Sequence, residues 1–205
     1  MEIIIYIAAA VFGYFAGSVN PAIMLSKAVY HKDIREYGSK NPGFTNFKRT
    51  FGGRLAWLVM VLDLSKAAVV TVLFSLIFGK YFGNCDFGAA YTGFFCMLGH
   101  AFPLQYKLKG GKGFLVCLST LFVLDIRVGI IATLIMCALL LTTKYMSLST
   151  VSAMLVSPIL LLLMGCDISA TLVFLACAVF MAVRHKENIK RLINGTESKF
   201  TLGTH

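Results

Sequence analysis

The chain has 205 residues, 58% hydrophobic and 14% charged, with a mean hydropathy of +0.80 and a formal net charge of +10. Soluble domains carry roughly 25% charged residues, so this composition excludes an ordinary soluble protein and indicates one polytopic membrane domain over 1–205. The positive charge argues for no nucleic-acid partner, because Lys and Arg flank apolar segments instead of forming a basic domain; it marks a cytoplasmic face against anionic membrane lipid.

An apolar stretch of about 20 residues crosses the hydrocarbon core. Residues 3–27 form the first such stretch. It lacks a basic n-region and runs into Gly17-Ser18-Val19-Asn20-Pro21 without a small-residue cleavage pattern, so it is expected to be a retained span. The composition then changes sharply over 35–49, REYGSKNPGFTNFKR. Glycines at 38, 43, 52 and 53 permit tight turns, and Asn41-Pro42 disfavours helix. Ser39, Asn41, Thr45 and Asn46 supply neutral donors, while Lys40, Lys48 and Arg49 supply positive ones suited to phosphate. An ordinary basic loop is shorter or less patterned, so this one reads as an anion-binding segment.

Residues 55–78 form the second stretch. Within it Asp63 and Lys66 lie three apart on one face and can pair. Ionisable residues in a span mark function or form a buried ion pair near a helix end, and the sequence leaves both open. Residues 87–104 form a weaker third, diluted by Gly88, Gly93 and Gly99; His100 at its end reads as structural and not as a catalytic base. The following KLKGGKG, residues 107–113, repeats the chemistry of the first loop. Gly110, Gly111 and Gly113 resemble a nest of backbone N–H groups with Lys112 as counter-charge, placed where a helix enters the membrane. The segment is not a Walker A loop, since no Gly-x-x-x-x-Gly-Lys-Ser/Thr pattern fits.

Residues 114–124, 128–141, 148–164 and 168–183 complete the apolar stretches, and the short 114–124 decides between six and seven crossings. Seven crossings with the N-terminus outside put the basic residues of 27–54, 105–113, Lys144 and the tail on the cytoplasmic side, leaving Lys80 and Arg127 outside. Six would put the basic first loop and the basic tail on opposite sides, against the positive-inside rule. The expectation is an all-α polytopic membrane protein with seven transmembrane helices, its C-terminus cytoplasmic and every unusual polar motif on one face. Ser147 adds a hydroxyl to that face between two spans. His185 and Asn188, three apart just past the last span, would project together. The six cysteines are scattered without a CxxC pair or metal spacing, so they read as packing residues and no metal is implied.

At these residues the chain resembles the bacterial acyl-phosphate:glycerol-3-phosphate acyltransferase family (the PlsY type). The resemblance covers nearly the whole chain. It rests on Gly17-Ser18, Asp33-Ile34-Arg35, Gly38-Ser39, Asn41-Pro42-Gly43, Thr45-Asn46, Arg49, Leu62-Asp63 with Lys66, Gly99-His100, Phe102-Pro103, Lys109 to Gly113, Tyr145 with Ser147, and Arg184-His185 with Glu187-Asn188-Ile189 and Arg191. It implies a cytoplasmic site in the inner (plasma) membrane that transfers an acyl group from acyl phosphate to the 1-hydroxyl of glycerol 3-phosphate, releasing lysophosphatidic acid and phosphate. It also implies no cofactor, and as a further partner the enzyme supplying acyl phosphate. Ser39 and Arg49 then belong to the first active-site motif; Lys112 and its glycines hold the glycerol-3-phosphate phosphate; Ser147, His185 and Asn188 surround the acyl phosphate. Gly38, Asn41 and Asn46 are expected to bind substrate. The acyl phosphate is already activated, so no acyl-enzyme is needed, and substrate phosphate is expected to take the proton.

Two departures stand out. Phe114-Leu115-Val116 replaces the family's Val-Ala-Thr-like run, and Asn20-Pro21 lies where Gly-Ser-Ile-Pro is usual. They point to altered acceptor preference or a diverged paralogue with another acceptor. A transporter for an anionic metabolite is the other alternative, but it would more often show internal repeats and polar residues at mid-membrane. A His-x4-Asp acyltransferase is excluded, because Glu36, Gln105 and Lys190 stand five residues after His31, His100 and His185.

Overall fold

The computed structural model describes residues 2–200, and among them every regular element is a helix. Helix α1 (Glu2–Ser18) and helix α2 (Pro21–Tyr30) are one apolar run broken at residues 19–20. Asn20 makes the break: its Oδ1 accepts from the Ile23 N–H at 3.0 Å and its Nδ2 donates to the Pro42 carbonyl at 3.1 Å, while Pro21 takes the first turn. Short α3 (Phe44–Phe51) precedes the 30-residue α4 (Gly53–Phe82). Then follow α5 (Cys85–Ala101), α6 (Phe114–Leu124), α7 (Ile126–Thr143), α8 (Met146–Leu163), α9 (Ile168–Arg184) and α10 (Lys186–Ile193).

Helix length and apolar composition mark four stretches as long enough to cross a membrane: Glu2–Tyr30, Gly53–Phe82, Ile126–Thr143 and Met146–Leu163. A fifth is added if α9 and α10, bent by 58°, are one span. This count falls short of the expected seven because α5 has 17 residues and α6 only 11. Both are held by protein. Helix α5 packs against α1, α4, α6 and α9, and α6 against α4, α5 and α7. A helix surrounded by helices has its backbone satisfied and its side chains covered, so it need not match the bilayer thickness by itself.

Small residues set the spacing at α1–α5. A Cβ at Gly17 would collide with the Cys96 carbonyl, and one at Gly99 with the Tyr14 carbonyl. With no apolar driving force between helices in lipid, such backbone contact supplies the packing. The main core gathers Phe74, Phe78, Met97, Leu121, Phe174 and Met181. A separate core lies under the first loop, where Ile23, Ile34, Phe47 and Val59 are buried and Tyr30 stacks on Phe51 with centroids 4.2 Å apart. That second core gives the loop between α2 and α4 a fixed shape.

Replacing Gly99 by Ala should lower the thermal midpoint of the detergent-solubilised protein, by about 1–3 kcal/mol of overpacking. An unchanged unfolding curve would contradict the close α1–α5 contact.

Candidate active site

Asp33 caps a 3₁₀ turn at Ile34–Glu36, accepting from the Arg35 N–H at 3.0 Å. The Arg35 guanidinium grips the same carboxylate through Nε at 2.9 Å and Nη2 at 2.7 Å, which holds the Asp33 carboxyl far below the usual carboxylate range. Arg35 Nη1 also donates to the Tyr106 carbonyl at 2.9 Å, so this arginine ties the first loop to the segment before GGKG. The turn that follows is folded around Asn46, only 1% exposed. Its Oδ1 accepts from the Ser39 N–H at 2.9 Å, and its Nδ2 donates to the carbonyls of Tyr37 at 3.0 Å and Ile34 at 3.4 Å. The hydroxyl of Ser39 and the guanidinium of Arg49 are thereby left at the cavity wall, with Arg49 unpaired among the described residues.

GGKG is built differently. The N–H groups of Gly110 and Gly111 donate to the carbonyls of Ala101 at 3.1 Å and His100 at 3.0 Å. A Cβ at Gly110 would strike the His100 carbonyl, and one at Gly111 the His100 imidazole. These glycines therefore let the loop lie against the end of α5, and they are not among the residues lining the cavity, where they were expected to bind substrate. Lys112 and Gly113 do line it. Gly113 caps α6, whose first turn offers free N–H groups and the positive end of its dipole.

Beneath the loop lies a buried ionic network. Lys66 Nζ stands 2.7 Å from Asp63 Oδ1 and 3.0 Å from His100 Nδ1, and donates to the carbonyls of Gly17 at 3.0 Å and Val19 at 2.6 Å. An ammonium only donates, so His100 accepts at Nδ1 and carries its proton on Nε2, the edge against Gly111. Of the two readings left open for Asp63 and Lys66, the geometry favours the buried pair, here one that also braces the loop, although Asp63 and His100 also touch the cavity.

The C-terminal side closes the site. His185 follows α9, and its Nδ1 lies 2.8 Å from the Met181 carbonyl. A carbonyl only accepts, so Nδ1 bears the proton and Nε2 is left as an acceptor. Burial lowers the His185 pKa to about 4, assisted by Lys112 and opposed by the Met181 bond, so the ring is neutral at pH 7. Lys112 Nζ donates to Asn188 Oδ1, and Asn188 Nδ2 donates to Glu197 Oε1 at 2.6 Å. Ser147 Oγ donates to the same oxygen at 2.7 Å, and Arg191 Nε to Glu197 Oε2 at 2.7 Å. Burial alone would raise the Glu197 pKa, but the bonds from Asn188, Ser147 and Arg191 outweigh it and keep the carboxyl below its ordinary value. Burial likewise lowers the Lys112 ammonium to about 8, with Arg191, Arg184 and Arg49 pushing the same way.

All six residues expected to be catalytic (Ser39, Arg49, Lys112, Ser147, His185 and Asn188) line one cavity of about 980 Å³, together with Gly38, Asn41, Asn46 and Gly113. Asn46 shapes that wall while its amide hydrogens serve the loop. Sequence reasoning missed Glu197, which joins Ser147, Asn188 and Arg191. The available signal was a lone carboxylate in an otherwise basic tail after Glu187. Arg184, quoted in the family motif without a role, donates to the Gly111 carbonyl at 3.2 Å and stacks over Phe102. Of the departing run, Phe114 and Leu115 face the cavity, whereas Val116 is fully buried in the core.

The family model described as "Glycerol-3-phosphate acyltransferase" matches residues 7–195. Curated relatives include the glycerol-3-phosphate acyltransferase of Rhizobium etli, 37% identical over 95% of this chain and 91% of its own length. Glycerol-3-phosphate acyltransferase 2 of Thermotoga maritima is also 37% identical, over 94% of this chain and 95% of its own length. Among solved structures, the chain is similar to the integral membrane glycerol 3-phosphate acyltransferase PlsY (YgiH). Its glycerol 3-phosphate form gives a TM-score of 0.87 at 29% identity, covering 96% of each chain. Its lysophosphatidic acid form gives 0.83 at 28% identity, covering 96% of this chain and 95% of that one.

Two outcomes follow from this geometry. Phosphate-ligand affinity should be full below the Lys112 pKa of about 8 and fall as the pH rises through it, because the charge disappears there. Lys112→Arg should abolish that decline in binding isotherms taken from about pH 7 to about pH 9. Lys66→Met should destabilise the protein by roughly 3–5 kcal/mol by stranding a buried carboxylate, with Asp63→Asn recovering part of the loss in unfolding of the double variant.

Proposed function

The chain belongs to the glycerol-3-phosphate acyltransferase family, and from that premise we propose how its cavity transfers an acyl group from acyl phosphate to glycerol 3-phosphate. The observation that carries the reading is the cavity's two-part lining. Arg49, Lys112 and Arg191 stand with the Glu197 carboxylate in one part of the lining, and an apolar groove continues from them between α4, α6 and α7. A ligand that fits has an anionic head and a hydrocarbon tail, as acyl phosphate and lysophosphatidic acid both do.

Both substrates carry phosphate, so the site must hold two anions while an alcohol attacks a carbonyl. Lys112 and the N-terminal turn of α6 take the phosphate of glycerol 3-phosphate. Arg49 and Ser39 approach the acyl phosphate from the first loop, with Ser147 and Asn188 opposite. Neutral His185, an acceptor at Nε2, orients the 1-hydroxyl. The hydroxyl oxygen bonds to the acyl carbon, the carbon–oxygen bond to phosphate breaks, and the hydroxyl proton passes to the departing phosphate. Phosphate is a good leaving group, so positioning and charge neutralisation supply the acceleration.

This reading also carries the finer topology: seven crossings, with α5 and α6 completing the count inside the bundle, an outside N-terminus and a cytoplasmic mouth. The supporting observation is that the basic first loop, Lys112 and the tail meet at one cavity, where the positive-inside rule would gather them. The enzyme that makes acyl phosphate would deliver it to the same face.

Purified protein given acyl phosphate and glycerol 3-phosphate should release lysophosphatidic acid and phosphate in equal amounts; no product at high enzyme would refute the reading. Arg49→Ala and Lys112→Ala should each lower turnover about 10²–10³-fold while membrane insertion is retained.

A further inference from the structure

The apolar groove has a definable end. One stripe of α6 forms its back wall, running from Phe114 through Leu118 to Phe122 at helical spacing. Helix α6 starts at the cationic mouth, so Phe122 lies about 12 Å deeper than Phe114. Helix α7 follows after the single residue Asp125 and packs back along α6. Its far end returns to the mouth, where the Lys144 carbonyl accepts from the Phe200 N–H at 2.7 Å. On α7 the groove is lined by Met136 and Thr133. One turn deeper, at Gly129, the helix is covered: a Cβ there would lie 2.7 Å from the Phe122 ring. The ring thus rests against α7 one turn beyond the last α7 residue of the lining, and it is 37% exposed, with room to be displaced.

We propose that Phe122, seated on Gly129, is the floor of the acyl groove and sets the length of acyl chain that the enzyme accepts. The proposal rests on the reading of this cavity as the acyl-phosphate site. A chain that ends at the ring buries its whole length against α4, α6 and α7. A longer chain must displace the ring from the surface it covers or leave its own terminal carbons unpacked, and either lowers its fit. Gly129 matters because only a residue without a side chain lets the ring lie this low. A methyl there would lift the ring towards the mouth and shorten the groove.

The test offers the full-length solubilised enzyme an equal mixture of acyl phosphates of increasing chain length, with product lysophosphatidic acids resolved by mass spectrometry. One methylene in an apolar site changes selectivity roughly 10–200-fold, so Phe122→Ala should raise the ratio of longer to parental product at least about tenfold. Phe122→Trp and Gly129→Ala should shift it towards shorter chains. An unchanged ratio in active Phe122→Ala overturns the proposal, as does a shift of Phe122→Ala and Phe122→Trp in the same direction. Thermal stabilisation by lysophosphatidic acids of the same lengths reads the groove without turnover. A wild-type length optimum that moves with Phe122, in protein that forms no product, would sustain the floor and refute the acyl transfer; stabilisation indifferent to length would refute the floor.

Discussion

The Lys66 ammonium stands where three stretches of backbone meet, and the cationic end of the cavity rests on it. It pairs with Asp63 on its own helix, donates to the carbonyls left free where α1 breaks, and holds the imidazole on which Gly111 rests. An ammonium is costly inside a membrane protein unless its hydrogens and charge are matched, and here four groups match them. The same centre therefore fixes the break between α1 and α2, the angle of α4 and the height of GGKG. Asn20, one residue past the break, reaches the Pro42 carbonyl and carries that order into the first loop.

The mouth above this brace has surplus positive charge held at short range. Arg49, Lys112, Arg184 and Arg191 would repel one another in a dry cavity, and the Lys112 pKa is lowered first by burial and then by the neighbouring arginines. Glu197 relieves part of it, and does so by accepting from Ser147 and Asn188 as well as Arg191. The tail that bears Glu197 is then a wall of the site, anchored further along where Phe200 meets the end of α7. In the proposed reaction two substrate phosphates complete the neutralisation that this carboxylate begins, which is the electrostatic argument for binding two anions close together.

Much of this was legible in the chain. Composition and apolar runs gave the helical membrane class, and the order of Ser39, Arg49, Lys112, Ser147, His185 and Asn188 gave the family and the lining of one cavity. These signals are local, since each needs only a few neighbouring residues to be read. The number of crossings was less legible. Counting apolar residues treats every segment as facing lipid, whereas α5 and α6 are short because neighbouring helices enclose them.

Sequence alone thus determined what the protein is made to contact: lipid along its apolar runs and anions at its basic, glycine-rich loops, because hydropathy and charge are properties of residues wherever they fold. Tertiary structure decided which of those residues line the cavity. Gly110 and Gly111 turned out to serve backbone contacts with α5, Asn46 the folding of its own loop, and Glu197 a cluster fifty residues from Ser147 in sequence. Those roles depend on approaches between distant segments, which hydrogen-bond geometry and close packing fix only once the helices are assembled.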